Sequence, residues 1–375
     1  MATLFQGATV FDGTRLLPGA TVLVADARVV ADGPVDQVVD LDGGILAPGL
    51  LDLQVNGAAG RMVDGSTDVD FLRQMCAVHA GLGATGILPT LITDTPQATA
   101  AVIAAGVQAA RDGVPGFLGL HLEGPHLDPV RKGAHDPALI RPMEDADLAV
   151  LLAAAADMPS LMVTVAPESV RLDQITSLRA AGVVVSLGHS NASHAAATAA
   201  LAAGATCLTH LFNAMSQLGN RDPGLVGAAL ASGAYAGLIA DGIHVDPVAM
   251  RIAMAASPDR LFLVSDCMAL AGSDTTEFSL GGRRILRRNG RLTLEDGTLA
   301  GADLTLPQAI AVMIREVGVA PEVAMAMATS RPAACLGRGG ELGHLLPGRL
   351  ADMVHFSPDG SVRGVWRAGR RIVAP

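Results

Sequence analysis

The stretch Phe117-Leu118-Gly119-Leu120-His121-Leu122-Glu123-Gly124-Pro125-His126 decides how the rest of the chain is read. Its apolar half reads as a buried strand, and Gly124 and Pro125 break that strand directly after Glu123. A carboxylate at the end of a buried strand costs free energy unless a partner offsets its desolvation, and a metal ion is one such partner. The chain holds candidates for the same neighbourhood. His189 closes the run Val183-Val184-Val185-Ser186-Leu187-Gly188, His210 follows Cys207-Leu208-Thr209, and Asp266 follows Leu261-Phe262-Leu263-Val264-Ser265. Four polar groups, each closing an apolar run, point to one shared site.

Working outward, residues 49–344 alternate apolar runs with alanine-rich helical patterns. The strand candidates are Leu50–Asn56, Ile87–Leu91, 117–123, Leu161–Pro167, Val183–His189, Cys207–Leu211, Ala236–Asp241 and Leu261–Asp266. Helical patterns such as Asp70–Leu82 and Ser193–Ala203 lie between them. Repeats of strand then helix over roughly 250 residues predict an α/β fold of the (β/α)8 TIM-like barrel type, with its site at the C-terminal strand ends. An open doubly wound sheet is the alternative, but no GxGxxG follows the first strand. Residues 1–48 and 345–375 are β-rich and turn-rich instead. They predict one small β-sandwich domain built from both termini. Residues 277–300 interrupt the barrel pattern and read as a β-hairpin insertion. Its arginines 283, 284, 287 and 288 read as a solvated face.

Composition narrows the function classes. The chain has 375 residues, half of them hydrophobic, enough for a large core. Its apolar runs are punctuated by Gly, Asp, Gln or Pro well short of the roughly 20 residues of a membrane helix, so no membrane span is expected. The first residues lack a basic segment followed by an apolar one, so no signal peptide is read. The cysteines, at 76, 207, 267 and 335, form no CxxC pair, and a reducing cytoplasm fits them. A net charge of −10 argues against a nucleic-acid partner while leaving room for an anionic small substrate held by local cations.

Glu123, His189 and His210 supply one oxygen and two nitrogen ligands. Three protein ligands with an open fourth position is the pattern of a catalytic zinc site. Each histidine alone would read as a polar strand cap; three such groups at ends of separate strands favour a metal. Metal-dependent barrel hydrolases often carry His-x-His on the first strand, where this chain has Gln54-Val55-Asn56. Neutral amides are poor ligands for transition metals, so one ion is expected, with the second-metal position replaced by Gln54 and Asn56. Asp266 could be a ligand, a cap or a general base. With three ligands already in hand, general base is the most useful role, since a carboxylate can take a proton from an activated water and return it to a leaving amine. His135, in the loop Arg131-Lys132-Gly133-Ala134-His135, could donate to an oxygen that gains charge. Arg221 and His244 lie in later loops and could hold a phosphate.

Taken together, these motifs resemble N-acetylglucosamine-6-phosphate deacetylases of the amidohydrolase superfamily. The resemblance is carried by Pro48–Gly57, His121-Leu122-Glu123-Gly124-Pro125, Lys132-Gly133-Ala134-His135 and Gly188-His189-Ser190-Asn191-Ala192. It continues through Thr209–Met215, Asp241-Gly242-Ile243-His244 and Val264-Ser265-Asp266, nearly end to end. It implies hydrolysis of the acetamide of N-acetyl-D-glucosamine 6-phosphate to glucosamine 6-phosphate and acetate, as in amino-sugar catabolism or cell-wall recycling. It implies Glu123, His189 and His210 as ligands to one divalent ion per subunit, with Zn2+ preferred, and Asp266 as the acid/base. It implies substrate contacts from Ala134 and His135, with His135 orienting the acetamide carbonyl. It further implies backbone contacts from Asn213 and Ala214 near the phosphate, and a homodimer in which Arg221 completes the neighbouring phosphate site beside His244. The chain departs from the family at Leu270, where a proline is more usual, in a loop expected to approach the substrate. The same chemistry on N-acetylgalactosamine 6-phosphate is the near alternative. A cyclic-amide hydrolase, which would usually want a bridging lysine, and a non-catalytic sugar-phosphate sensor are the more distant ones.

Overall fold

A computed structural model describes residues 1–373; residues 374–375, the end of the predicted C-terminal β segment, lie outside the described residues. Eight strands, numbered here β1–β8, form one parallel sheet in sequential order. They are β1 Leu50–Val55, β2 Ala84–Ile92, β3 Leu120–Glu123, β4 Leu161–Val165, β5 Val184–Leu187, β6 Cys207–Leu208, β7 Tyr235–Leu238 and β8 Leu261–Leu263. Nearly every residue of these strands is buried, as expected when helices cover one face and the barrel interior the other. β8 returns to β1 at the mouth: Asp266 N–H donates to Gln54 O at 3.0 Å and Asn56 N–H to Cys267 O at 2.9 Å. The sheet is therefore a nearly closed barrel.

The strand candidates all coincide with strands, but six of the eight run past the C-terminal end, while Ile87–Leu91 falls inside its strand and 117–123 starts early. Of the four polar groups, only Glu123 lies inside a strand. His189, His210 and Asp266 follow the ends of β5, β6 and β8 with φ of 46°, 30° and 49°. Left-handed backbone ends the ladder and turns each side chain across the mouth. Periodicity alone cannot show that turn.

The helices follow their local signals. Val69–Gly81 starts at Asp68, whose side chain accepts from Phe71 N–H, and buries Phe71, Leu72, Met75 and Cys76 against the barrel. His194–Ala203 starts at Ser193, which accepts from Ala196 N–H. Together the helices and strands close one large apolar core.

Both termini build a two-sheet β unit. Arg28–Val30, Val22–Ala25, Thr3–Gln6 and Gln37–Asp40 form one sheet. The other joins Arg370–Val373, Val362–Arg367 and Met353–Phe356 to Ile45–Pro48, Thr9–Phe11 and Leu16–Leu17. Phe5, Val10, Val22, Val24, Leu46, Met353 and Trp366 pack together in a separate core, with Phe5 edge-on to Trp366 at 5.4 Å.

The insertion is larger than the predicted hairpin. It is a four-stranded antiparallel meander, Glu277–Leu280, Arg283–Arg288, Arg291–Leu294 and Leu299–Ala302. Leu280, Ile285, Leu292 and Ala300 pack on Met62, Met268 and Leu270. Its arginines correct the expectation of a simple solvated face. Arg284 pairs with Glu277, but Arg287 ties the insertion to Asp303 and to the carbonyls of Leu270 and Ser273. Arg283 reaches out of the insertion and donates to the carbonyl of Ala134.

Candidate active site

Glu123, His189 and His210 meet at the barrel mouth, with ligand atoms within 4.8 Å of one another and all three residues buried. Glu123 Oε1 lies 3.2 Å from His189 Nε2 and 3.1 Å from His210 Nε2, and the two imidazole nitrogens are 3.0 Å apart. The carbonyl of Arg131 sits 2.8 Å from His189 Nδ1. A carbonyl only accepts, so that nitrogen carries a proton, and in the neutral ring Nε2 would then present a lone pair to the carboxylate. A lone pair and a carboxylate oxygen at this separation require a positive charge between them, a proton or a metal ion. Burial opposes charge on both partners, yet Glu123 is held well below its ordinary carboxylate range by the two histidines and His210 is raised by Glu123. The donor set fits a metal ion by this test, including the second-sphere carbonyl that orients a ligating histidine.

Asp266 stands beside this cluster. Asn56 Nδ2 donates to its Oδ1 at 2.7 Å and Gln54 Nε2 donates to the same atom at 3.2 Å. Gln54 Nε2 also reaches Glu123 Oε1 at 3.1 Å. Gln54 thus links Asp266 to Glu123, and Asn56, one residue past β1, adds a second donor to Asp266. Burial, and then the neighbouring Glu123 carboxylate, push Asp266 up to about 6. Such a carboxyl gives up and regains a proton near neutral pH.

His135 lies across the cluster, its Nε2 4.0 Å from Glu123 Oε2. Thr93 N–H donates to His135 Nδ1 at 3.2 Å, and the Thr93 hydroxyl lies 2.8 Å from the same nitrogen. A backbone N–H cannot accept, so Nδ1 is the bare nitrogen and Nε2–H is the donor that faces the cluster. Burial, and then His189, bring the ring down to about 3, so it is neutral. Thr93 has no motif of its own, and sequence reading missed it. A side chain on Gly124 (φ 97°) would sit 2.2 Å from the Thr93 hydroxyl, which gives this glycine a steric reason.

Asn56, Glu123, His135, His189, His210 and Asp266 line one cavity of about 170 Å3 with Gly133, Ala134, Asn213, Ala214 and His244. His244 Nδ1 pairs with Asp241 Oδ2 at 2.6 Å. Met268, Ile92, Ile239, Leu299 and Gly301 complete the wall; apart from Met268, whose loop was expected to approach the substrate, they were not foreseen. The last two come from the insertion, whose break in the barrel pattern was the available signal. Met268 lies in the loop that departs from the family, while Leu270 is buried beneath the insertion. Arg221 of this chain is exposed and lies apart from the cavity lining.

The sequence matches the amidohydrolase family model over residues 45–372. The chain belongs to the amidohydrolase family. It is 40% identical to an N-acetylgalactosamine-6-phosphate deacetylase of Shewanella sp. over 334 residues, covering 88% of this chain and 84% of that one. It is 34% identical to an N-acetylglucosamine-6-phosphate deacetylase of Haemophilus influenzae over 331 residues, covering 88% of this chain and 86% of that one. Among solved structures, a Mycobacterium smegmatis N-acetyl-D-glucosamine-6-phosphate deacetylase mutant in complex with N-acetyl-D-glucosamine-6-phosphate superposes with a TM-score of 0.91 at 32% identity, over 100% of both chains.

Proposed function

We propose that this chain hydrolyses the acetamide of N-acetyl-D-glucosamine 6-phosphate to D-glucosamine 6-phosphate and acetate. The observation that carries the reading is the convergence in one cavity of a cation-seeking Glu123–His189–His210 cluster, Asp266 near neutrality and His135 with its Nε2–H facing in. Those ligands would hold one divalent ion, and two imidazoles, a carboxylate and an open position suit Zn2+ among others. Such an ion supplies Lewis-acid polarisation and makes water a nucleophile at neutral pH. His135 Nε2–H donates to the acetamide oxygen as it gains charge, with Ala134 beside it. Asp266 accepts the proton of the attacking water. It then delivers that proton to the departing nitrogen, so the amine leaves neutral. Asn213, Ala214 and His244 receive the phosphate, and Arg221 of a second copy completes that site in a homodimer.

The described part of the terminal β segments, 1–48 and 345 onward, serves as a supporting unit, and 49–344 as the catalytic one. Four buried, unpaired cysteines support a cytoplasmic setting. Among the described residues, no helix is long and apolar enough to cross a membrane.

A second reading shares all of this chemistry and differs only in the C4 epimer. It is favoured by two relatives, of Shewanella sp. at 40% identity and of Escherichia coli O157:H7 at 36%, that act on the galactosamine sugar. The test is acetate release by metal-loaded protein from both phosphorylated epimers and from unphosphorylated N-acetylglucosamine. Turnover of the first sugar above the others is expected. A preference for the galactosamine epimer installs the second reading, and no release from any of the three overturns both.

A further inference from the structure

The first strand is followed by an asparagine whose two amide atoms have very different surroundings. Asn56 is 1% exposed and lines the catalytic cavity. Its Nδ2 donates to Asp266 Oδ1 at 2.7 Å, which fixes the orientation of the amide group. Its Oδ1 is buried without a hydrogen-bond partner. A buried carbonyl oxygen left without a donor is costly. Neighbouring Gln54 is also buried and donates to the same carboxylate oxygen, yet it does not line this cavity. The two amides therefore share one task, holding Asp266, and of the two only Asn56 both lines the cavity and keeps an acceptor that has no partner in the protein.

We propose that Asn56 Oδ1 accepts the N–H of the scissile nitrogen, first of the acetamide and then of the released amine. The proposal rests on the deacetylase reading and adds a substrate-binding residue to it. Asp266, which delivers the proton to that nitrogen, is bonded to the same side chain. An acceptor here would orient the nitrogen lone pair relative to Asp266. Both sugar epimers carry this N–H, so the proposal holds for either.

The test is calorimetric titration of the metal-loaded protein with two ligands that are not turned over. Glucosamine 6-phosphate carries the nitrogen donor; 2-deoxyglucose 6-phosphate has only hydrogen at that carbon. Wild type should bind the amine about tenfold more tightly, the scale of one buried hydrogen bond. Asn56→Leu should reduce that preference to about twofold or less, with affinity for the 2-deoxy sugar unchanged. Asn56→Ala is the second variant should the leucine fail to fold. Gln54→Leu also removes a donor to Asp266 but leaves the Asn56 acceptor, so it should retain the preference. Equal weakening of both ligands in the Asn56 variants, or loss of the preference in Gln54→Leu as well, would show that Asn56 acts only by holding Asp266 and overturn the proposal. Wild type that releases acetate but shows no preference also overturns it. Wild type that releases no acetate and binds neither ligand breaks the deacetylase reading beneath it.

Discussion

The barrel mouth and the terminal β unit obey opposite rules. In the β unit the buried cluster is apolar, and left-handed non-glycine residues such as Asp26, Ala27, Asp42 and Ala368 lie in turns between strands. At the mouth the buried side chains are Glu123, His135, His189, His210 and Asp266, and left-handed backbone occurs at His189, His210, Phe212, Ala214 and Asp266. Each such residue costs of order 1–3 kcal/mol, and strain of this kind persists where surrounding structure over-determines it. One region is organised for stability and the other for placing charge. Where a fold breaks its local rules in the interior, function is the first place to look.

That contrast can be broken by experiment. Asp266→Asn should have the largest effect: turnover falls by about a thousandfold or more while metal content and the denaturation midpoint stay near wild type. An asparagine variant with near-normal turnover would falsify the acid/base role. Trp366→Ala should do the reverse. It should cost about 3–5 kcal/mol in urea unfolding and leave kcat of the folded fraction unchanged. A marked fall in kcat at full folding would mean that the β unit takes part in the site. Arg221→Ala should have the smallest effect, raising KM for the phosphorylated sugar about tenfold with little change in kcat. A change confined to kcat would remove Arg221 from phosphate binding and sharpen the boundary of the mouth.

Much of this arrangement was legible in the sequence because it is local. Each barrel strand announces itself as a short apolar run, and Glu123 is marked by the Gly124-Pro125 breaker that follows it. The cluster of Glu123, His189 and His210 could be inferred because barrel topology brings strand ends together whatever their separation in sequence. What stayed hidden depends on contacts without a local pattern. Thr93 meets His135 across 42 residues, and nothing in Thr93-Asp94-Thr95 distinguishes it from a helix cap. That Gln54 and Asn56 hold Asp266 was not readable, since their hydrogen bonds to it cross 212 and 210 residues. The insertion's basic run was misread because charge patterning is blind to a guanidinium that finds a carbonyl elsewhere.

The tie between Arg283 and the loop after β3 has a consequence for how the sequence can drift. The acceptor is the main-chain carbonyl of Ala134, so it would exist whatever side chain stood there. The whole constraint falls on one partner. Neighbouring loop positions can be exchanged without losing the acceptor, whereas position 283 must supply a long side chain that ends in a donor. Two segments 149 residues apart thus share a single point of mutational vulnerability, and it lies in the insertion rather than in the loop that carries His135.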